Sequence, residues 1–350
     1  MPHVAVIPGD GIGREVLDEG LKVLRALDAR HGLNLRFTHL PYGADRYLAT
    51  GLTITPEEMS GLRDYDAVYL GALGDPRVPS NVHAKDILLG MRFQLDLYIN
   101  LRPCVLLDER YCPLKDRRPE DVRFTVFREN TEGLYTGIGG QFKRDTADEV
   151  AIEAELNTRK GVERIIRAAF EHARARGLGR VCMSDKSNAM RHGHDLWQRV
   201  FKSVAAEYPE IKASHLYVDA LVMEMVRAPD RFDVIVTNNL FGDIVTDLGA
   251  QIQGGIGLAA SGNLNPGAGI GMFEPVHGSA PDIAGQGLAN PLAAVLSAGM
   301  MLSWLGHVAL ERQIEDAVRV ALNDGLVTRE LGGNLSTSQV GDAIVAILSR

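Results

Sequence analysis

The sequence has few of the features that mark secreted, membrane-spanning or nucleic-acid-binding proteins. It contains only three cysteines, Cys104, Cys112 and Cys182, without CxxC spacing, which disfavours a disulfide framework or a zinc site. Apolar runs stay below the roughly 18 residues of a membrane span, and the N-terminus lacks the basic segment and apolar core of a signal peptide. The formal net charge is −8, whereas nucleic-acid binding needs a basic face. These absences predict a cytoplasmic protein without membrane or nucleic-acid partners.

Two common nucleotide-binding signatures are also missing. Gly9, Gly11 and Gly13 form a GxGxG turn after the strand-like residues 4–7, whereas a Rossmann motif reads GxGxxG and a P-loop reads GxxxxGK[ST]. The turn opens an amphipathic helix, and a glycine turn at a helix N-terminus can bind an anion. Tight-turn geometry alone also accounts for these glycines, so the turn by itself assigns no ligand.

Strand-like runs and helical patterns alternate along the 350 residues. This alternation indicates an α/β architecture with a parallel or mixed sheet, in two domains or one large discontinuous domain. Residues 158–176 and 190–206 have the periodicity of amphipathic helices. Residues 136–155 are polar and without helical periodicity, and we interpret them as an extended arm.

The stretch from Thr237 to Asp247 joins a buried strand to a helix. Residues 232–236 read as the strand, and apolar positions recur with helical spacing from Leu240 onward. Asp243 and Asp247 are four residues apart, so their carboxylates share one helix face and can hold one divalent cation. A solvated helix face with two acids is the simpler alternative from spacing alone.

Three arginines, Arg92, Arg102 and Arg128, lie at or near the ends of predicted elements. If they converge, they suit a dicarboxylate, because arginine makes bidentate forks that lysine cannot make. Taken singly, each is more simply explained as a surface ion pair. The dicarboxylate hypothesis therefore depends on their convergence.

Further candidate groups follow other strand-like runs. Lys186 follows residues 181–183, and a lysine whose pKa is lowered by burial beside a cation can accept a proton near neutral pH; a solvated loop is the alternative. Asp219 follows residues 216–218. The irregular segment 273–291 contains Asp282, whose carboxylate suits the ribose hydroxyls of a nucleotide, and polar loops of this length are usually functional or disordered.

These segments together resemble the β-decarboxylating dehydrogenases, the isocitrate and isopropylmalate dehydrogenase family. Five motifs carry the resemblance in the family's order: IPGDGIG at 7–13, NLRP at 100–103, RENTEG at 128–133, NLFGDI at 239–244 and EPVHGSAPDIAG at 274–285. The resemblance implies an isopropylmalate dehydrogenase-like fold of two α/β domains, unlike a Rossmann fold. Residues 1–100 and 255–350 are then the dinucleotide-binding domain. Residues 101–254 form an inserted domain with the dimer contacts, the arm and the metal ligands.

The resemblance also implies roles for individual residues. The substrate's carboxylates are assigned to Arg92, Arg102 and Arg128, and proton transfer to Tyr135 and Lys186. The ligands of Mg²⁺ or Mn²⁺ are Asp219, Asp243 and Asp247. Lys186 and Asp219, which also borders the substrate, are expected to reach the partner's active site in a homodimer.

The dinucleotide positions implied by the resemblance lie mostly in one loop. They are Asn188, His277, Gly278, Ser279, Ala280, Asp282, Ile283 and Asn290. The pair Asp282 and Ile283 predicts NAD rather than NADP, because the carboxylate binds the ribose diol and repels a 2′-phosphate.

The reaction implied is the oxidative decarboxylation of a 2-hydroxydicarboxylic acid by NAD and a divalent metal. Leu88 and Leu89 stand where isocitrate enzymes of the family usually have Ser and Asn, and an apolar pair suits an isopropyl group. We therefore expect 3-isopropylmalate, an intermediate of leucine biosynthesis, as substrate. D-Malate and tartrate are close alternatives, because one methyl contact contributes only about 1 kcal/mol. A non-catalytic regulatory paralogue is disfavoured because every matched position is intact.

Overall fold

The computed structural model describes residues 1–350, which alternate between strands and helices. The strands are β1 (His3–Gly9), β2 (Arg36–His39), β3 (Ala67–Ala72), β4 (Ile99–Val105), β5 (Arg123–Glu129), β6 (Gly139–Phe142), β7 (Val150–Glu153), β8 (Arg180–Asp185), β9 (Lys212–Tyr217), β10 (Val234–Thr237), β11 (Ala260–Asn265) and β12 (Ile270–Pro275). The helices are α1 (Gly13–His31), α2 (Ala44–Thr50), α3 (Pro56–Gly61), α4 (Val82–Ala84), α5 (Gly90–Gln94), α6 (Arg159–Arg176), α7 (Gly193–Ala205), α8 (Val218–Arg227), α9 (Asn239–Ile252), α10 (Leu292–Trp304), α11 (Val308–Asn323) and α12 (Thr337–Leu348). None of these helices combines the length and the apolar character needed to cross a lipid bilayer.

The chain folds into two compact units built from discontinuous segments. Unit 1 comprises Met1–Leu97, Val105–Pro119 and Ala250–Arg350, and unit 2 comprises Tyr98–Cys104 and Glu120–Gly249. The boundaries expected from the sequence were 100/101 and 254/255, so the structure differs mainly in returning residues 105–119 to unit 1. Two hydrogen bonds explain this: the Val105 amide donates to Gln253 Oε1 (2.8 Å), and Arg110 Nη2 donates to the Leu322 carbonyl (2.6 Å).

Unit 1 contains strands in the order β2-β1-β3-β12-β11. The pairs β1–β2, β1–β3 and β3–β12 are parallel, and β11–β12 is antiparallel. Residues 4–7 of β1 are all fully buried, as expected for a strand covered on both faces. Helix α1 packs against α10 and α12. The mixed, largely parallel sheet confirms the predicted α/β class.

The GxGxG turn at the end of β1 is explained by close packing. Gly9 and Gly11 have φ of +70° and +53°, and a Cβ on either would lie 2.0 Å from a carbonyl oxygen, that of Ala72 or Ser279 respectively. The Ile12 amide also donates to the Ser279 carbonyl (2.8 Å). The tight-turn interpretation thus accounts for these glycines, since only glycine adopts this backbone at this distance without strain.

Unit 2 contains strands in the order β4-β5-β10-β8-β9, with the predicted arm forming a separate antiparallel pair, β6 and β7. Strand β10 runs parallel to both β5 and β8, and β8 runs parallel to β9. Their register aligns Thr237 with Arg128 on one side and with Ser184 on the other. The carboxyl ends of these strands therefore lie at one edge, where open α/β sheets usually bind ligands.

Candidate active site and dinucleotide pocket

Arg128 is a buried cation of unit 2 at this sheet edge. It occupies the penultimate position of β5, and its side chain is almost wholly inaccessible. Asn239, the first residue of α9, accepts from Arg128 Nε (3.0 Å) and Nη2 (2.7 Å). The remaining nitrogen, Nη1, donates to Asp243 Oδ1. Asn239 thereby fixes the guanidinium plane and directs one end of it to the first turns of α9.

Asp243 contacts two residues predicted to bind the substrate, Arg102 and Arg128, and one predicted to transfer a proton, Tyr135. Besides Arg128, its Oδ1 atom lies 3.5 Å from Arg102 Nη2, and its Oδ2 atom accepts from the Tyr135 hydroxyl at 2.7 Å. Arg102 is held in turn by Thr246 Oγ1 at 2.5 Å. Two of the three arginines predicted to bind the substrate therefore converge on one carboxylate, together with the Tyr135 hydroxyl, the predicted proton donor.

The environment of Tyr135 suits a proton donor. The Arg128 guanidinium lies over its ring, 5.1 Å from the centroid. Burial, followed by the hydrogen bond and the charge of Asp243, raises the pKa of Tyr135 above its ordinary value, and Arg128 offsets only part of this rise. The phenol is therefore protonated at neutral pH, because the ordinary pKa of tyrosine is already about 10.

Asp247 lies one turn after Asp243 on α9. Burial, then the nearby charge of Asp243, raises the pKa of Asp247. Two ionised carboxylates in this position repel each other, and a divalent cation removes that repulsion. Carboxylate oxygens are also the ligands that Mg²⁺ and Mn²⁺ prefer. The residues present on α9 thus fit the implied metal.

Lys186 and Asp219 form a second cluster in unit 2. Lys186 directly follows β8, Asp219 lies in the first turn of α8, and the strands before them are adjacent and parallel. Lys186 Nζ lies 2.7 Å from Asp219 Oδ1, and this hydrogen bond lowers the pKa of Asp219. Within one chain, no three His, Cys, Asp or Glu side chains form a group able to hold a metal ion. The three predicted aspartate ligands are therefore not brought together by a single chain.

The other predicted substrate residues lie in unit 1. Arg92 is buried on α5, with Nη2 3.1 Å from Glu274 Oε1, which also accepts from Asn263 Nδ2 (2.9 Å). Leu88 and Leu89 occupy a π-helical turn between α4 and α5. Both are partly buried, and Leu88 packs against the apolar core of unit 1. The role of these three residues towards substrate stays a prediction.

A cavity of about 320 Å³ in unit 1 brings together most of the predicted dinucleotide residues. Its lining includes His277, Gly278, Ala280, Ile283 and Asn290. Ser279 is buried and contributes its carbonyl to the glycine turn, whereas Asp282 is exposed beside the cavity-lining residues. Asn188 is exposed in unit 2, in the turn after Lys186.

Two buried polar atoms in the cavity lining have no partner within the protein. They are His277 Nε2 and Asn290 Nδ2. Burial also lowers the pKa of His277, so its imidazole is neutral at pH 7. Buried polar groups are normally hydrogen-bonded, so the donor and acceptor capacity here fits a polar ligand such as an adenine nucleotide.

Several residues of these sites escaped prediction from the sequence. Ile12 and Glu330 also line the cavity. Glu330 and Asn290 both reach Gly257, where an added Cβ would lie 2.5 Å from Glu330 Oε2 and 2.7 Å from Asn290 Nδ2. Nothing in the local sequence around Glu330 indicates its proximity to Asn290. Ile12, Asn239 and Glu274, by contrast, lie inside the recognised motifs and could have been singled out there.

The chain is similar to known proteins over nearly its full length. Residues 3–344 match the family isocitrate/isopropylmalate dehydrogenase. The 3-isopropylmalate dehydrogenase of Thermobifida fusca is 50% identical over 342 residues, which cover 97% of this chain and 96% of that protein. The crystal structure of isocitrate dehydrogenase from Methylococcus capsulatus has a TM-score of 0.90 at 36% identity, with 100% of both chains covered. An apo β-decarboxylating dehydrogenase from Thermococcus kodakarensis has a TM-score of 0.81 at 36% identity, covering 100% of this chain and 96% of that one.

This α/β fold and these full-length similarities are those of an enzyme, a decarboxylating dehydrogenase. The chain belongs to the isocitrate/isopropylmalate dehydrogenase family, as its sequence motifs predicted.

Proposed function

We propose that the chain oxidatively decarboxylates a 2-hydroxydicarboxylic acid with NAD and Mg²⁺ or Mn²⁺, and that its substrate is 3-isopropylmalate. The products are 2-oxoisocaproate and CO₂, a step of leucine biosynthesis. The observation that carries this proposal is the convergence of Arg102, Arg128 and Tyr135 on Asp243.

Arg102 and Arg128 would bind the carboxylates of the substrate. Both guanidiniums are largely buried, and each is oriented by a neutral side chain, Thr246 or Asn239. Buried arginines with fixed planes bind carboxylates in bidentate geometry. Arg92 would contribute a third guanidinium, with Glu274 holding its orientation.

Asp243 and Asp247 would hold the metal, completed by Asp219 from the other protomer of a homodimer. When bound, the metal supplies Lewis-acid stabilisation of the negative charge that develops on the oxygen at C2. Asp243 would also maintain the position of the Tyr135 hydroxyl, to which it is hydrogen-bonded.

The protein's own proton carriers would be Lys186 and Tyr135. Lys186 would accept and relay the proton of the C2 hydroxyl during oxidation of the substrate, for which bound NAD would be the hydride acceptor. Tyr135, whose raised pKa keeps it protonated, returns a proton to the carbon that has lost CO₂. Each acts on a different atom of the substrate, in keeping with their separate positions, Lys186 directly after β8 and Tyr135 in the turn Leu134–Thr136 that follows β5.

The NAD proposal is supported by the unit 1 cavity and its partnerless atoms, His277 Nε2 and Asn290 Nδ2. A second cavity of about 470 Å³ borders the same loop at Pro281, Ala284 and Gly285, so there is room for an elongated ligand along this segment. Asp282 would select NAD by accepting from the ribose diol and repelling the 2′-phosphate of NADP.

A homodimer is supported by the exposed apolar side chains of unit 2. Large apolar residues are exposed on α8, α9 and the arm: Met223, Val226, Ile244, Phe142 and Ile152. Large apolar side chains exposed on a folded unit are commonly covered by a protein partner when they form one patch, and a second copy of the chain is the partner that we propose here. We expect a cytoplasmic enzyme, a setting that suits its three free cysteines.

Substrate choice would depend on Leu88 and Leu89. An apolar pair suits the isopropyl group, and the relative from Thermobifida fusca is named for that substrate. D-Malate and tartrate are the competing candidates, because Leu88 is already partly packed against the core of its own unit, which leaves less apolar surface for the substrate.

The test is NADH formation with Mg²⁺ from 3-isopropylmalate, D-malate, tartrate and isocitrate, with chelator-treated enzyme and NADP as controls. We expect the highest kcat/KM for 3-isopropylmalate with NAD, and loss of turnover after chelation. A higher value for D-malate or tartrate would change the substrate assignment. Absence of turnover on all four acids would refute the catalytic proposal.

A further inference from the structure

A fully buried histidine, His194, lies beneath the turn that carries Lys186. We infer that His194 is a positioning residue, which fixes the backbone of Lys186 and connects it to the helix that carries Asp243 and Asp247. The inference rests on the proposed role of Lys186 as the proton relay. It requires no contact of His194 with substrate, cofactor or metal.

The hydrogen bonds of His194 define its tautomer. Its Nδ1 atom accepts from the backbone N–H of Lys186 at 2.7 Å, so Nδ1 carries no proton. The proton is therefore on Nε2, which donates to the carboxylate of Glu155 at 3.2 Å. A doubly protonated ring would direct an N–H at the N–H of Lys186, so the arrangement requires the neutral form.

Glu155 extends the connection from His194 to α9. Its Oε1 atom accepts from Asn238 Nδ2 at 2.6 Å, and Asn238 Oδ1 accepts from the Phe241 amide at 2.9 Å. Asn238 precedes the first residue of α9, so this last bond is an N-cap. Burial alone would raise the pKa of Glu155, but hydrogen bonds from His194 and its neighbours hold the pKa below its ordinary value. A charged acceptor strengthens both bonds that it receives.

A second buried side chain secures the next peptide of the same turn. Asp185 Oδ1 accepts from the Ser187 N–H at 3.0 Å, and its Oδ2 accepts from Gln198 Nε2 at 2.8 Å. Two successive backbone N–H groups, those of Lys186 and Ser187, are thus each fixed by a side chain. The Lys186 side chain therefore starts from a backbone that is held by hydrogen bonds at two successive residues, and its Nζ is bonded to Asp219.

The distinctive contribution of His194 is a hydrogen-bonded link between the two unit 2 clusters of one chain, which serve the two different active sites of the proposed dimer. It joins the Lys186 turn, through Glu155 and Asn238, to the helix start from which Asp243 is one turn away. Misplacing a catalytic group by about 1 Å can reduce the rate about 100-fold. Loss of the Nδ1 acceptor should therefore affect the chemical step rather than the binding of NAD.

The test compares three variants of the full-length enzyme. His194→Leu removes the acceptor and keeps an apolar side chain; His194→Asn keeps an acceptor near the position of Nδ1. His192→Leu is the matched control, since His192 is exposed two residues away. We expect His194→Leu to lower kcat at least 20-fold with the KM for NAD changed less than twofold. His194→Asn should restore kcat to within about fivefold of wild type, and His192→Leu should stay within twofold.

A readout besides kcat separates positioning from loss of folded enzyme. The solvent deuterium isotope effect on kcat should increase in His194→Leu, because displaced Lys186 makes proton transfer limiting. A smaller fraction of folded enzyme would lower kcat without changing this effect. Thermal unfolding of each variant gives the folded fraction independently.

Two results would overturn the inference. One is a His194→Leu enzyme with wild-type kcat. The other is equal loss in His194→Leu and His194→Asn with an unchanged isotope effect, which would show that the residue serves folding alone. Failure of the proposed function is recognised separately, because the wild-type enzyme would then show no turnover of any hydroxydiacid.

Discussion

At the scale of single residues, neutral side chains fix the orientation of the arginines around Asp243: Asn239 holds Arg128, and Thr246 holds Arg102. Asn239 occupies two of the guanidinium nitrogens of Arg128, and its own Nδ2 donates to the Glu132 carbonyl at 2.9 Å. Both the acceptor and the donor of Asn239 are therefore engaged within the protein. This arrangement orients Arg128 before any substrate is bound. The Arg128 side chain therefore loses less conformational entropy when the substrate binds.

Asn239→Ala should weaken substrate binding more than catalysis. Without the acceptor, Arg128 can rotate and lose its fixed fork, so we expect the KM for the hydroxydiacid to rise about 10-fold, which corresponds to roughly 1.4 kcal/mol. The KM for NAD serves as the internal control and should change less than twofold. Steady-state kinetics measures both, and an unchanged KM for the acid would refute the orienting role.

Tyr135→Phe tests the proposed proton donor. The ring that stacks under Arg128 is retained, and only the hydroxyl bonded to Asp243 is removed. We expect kcat to fall 100-fold or more, within the range that general acids contribute, while thermal stability changes little. Steady-state turnover and a melting curve measure the two quantities. Activity within threefold of wild type would exclude Tyr135 as the essential acid.

At the scale of elements, the sequence predicted well what depends on local pattern. Residues 158–176 were expected to be helical, and α6 begins at Arg159 with Thr158 as its N-cap. The aperiodic arm was expected to be extended and forms β6 and β7. Helix α7 begins at Gly193, three residues later than expected, because the Ala189 and Met190 amides donate to the Lys186 carbonyl and form a turn first.

Contacts between residues that are far apart in the chain were harder to predict from the sequence. Arg102 and Arg128 were singled out by residue type and position, but their common partner Asp243 is more than 100 residues away and followed only from the fold. His194 gave no signal at all, because a lone histidine in an amphipathic helix is usually a satisfied core residue. Such contacts depend on strand order, which local periodicity does not determine.

The packing of α6 on β5 predicts an acid-dependent loss of stability. His172 of α6 meets the ring of Phe127 of β5 edge-on, with centroids 5.0 Å apart. Burial, then the charge of Arg176, lowers the pKa of His172 to about 4 from the ordinary 6.5. Between these values the unfolded chain binds more protons, so this group's contribution to stability is lost as the pH falls from about 6.5 towards 4.

His172→Gln should therefore reduce the acid sensitivity of the protein. Between pH 7 and pH 5 we expect the variant to lose less stability than wild type, by roughly 1–2 kcal/mol. Urea unfolding at both pH values measures the difference, and the exposed His31→Gln provides a matched control on α1. An equal loss in wild type and His172→Gln would show that His172 is not the responsible group.

At the scale of the whole molecule, the separation of the two unit 2 clusters indicates how the proposed active site is assembled. Asp243 and Asp247 stand with Arg102, Arg128 and Tyr135, whereas Asp219 pairs with Lys186. One chain offers no complete set of metal ligands, although both clusters are required by the proposed reaction. A two-fold dimer that places the Lys186 cluster of each protomer at the Asp243 cluster of the other would complete both sites.

Mixing two inactive variants tests this arrangement directly. Lys186→Met and Asp247→Asn should each lack turnover while still binding NAD, because NAD binding residues of unit 1 are untouched. Unfolded together and refolded at equal concentration, the two chains should form heterodimers in about half of the molecules, each with one intact site. We expect roughly a quarter of wild-type activity in the mixture and none in either variant refolded alone. If each protomer instead contained its own complete site, no mixture of the two variants could recover activity. Substantial turnover by Lys186→Met alone would exclude Lys186 as the proton relay.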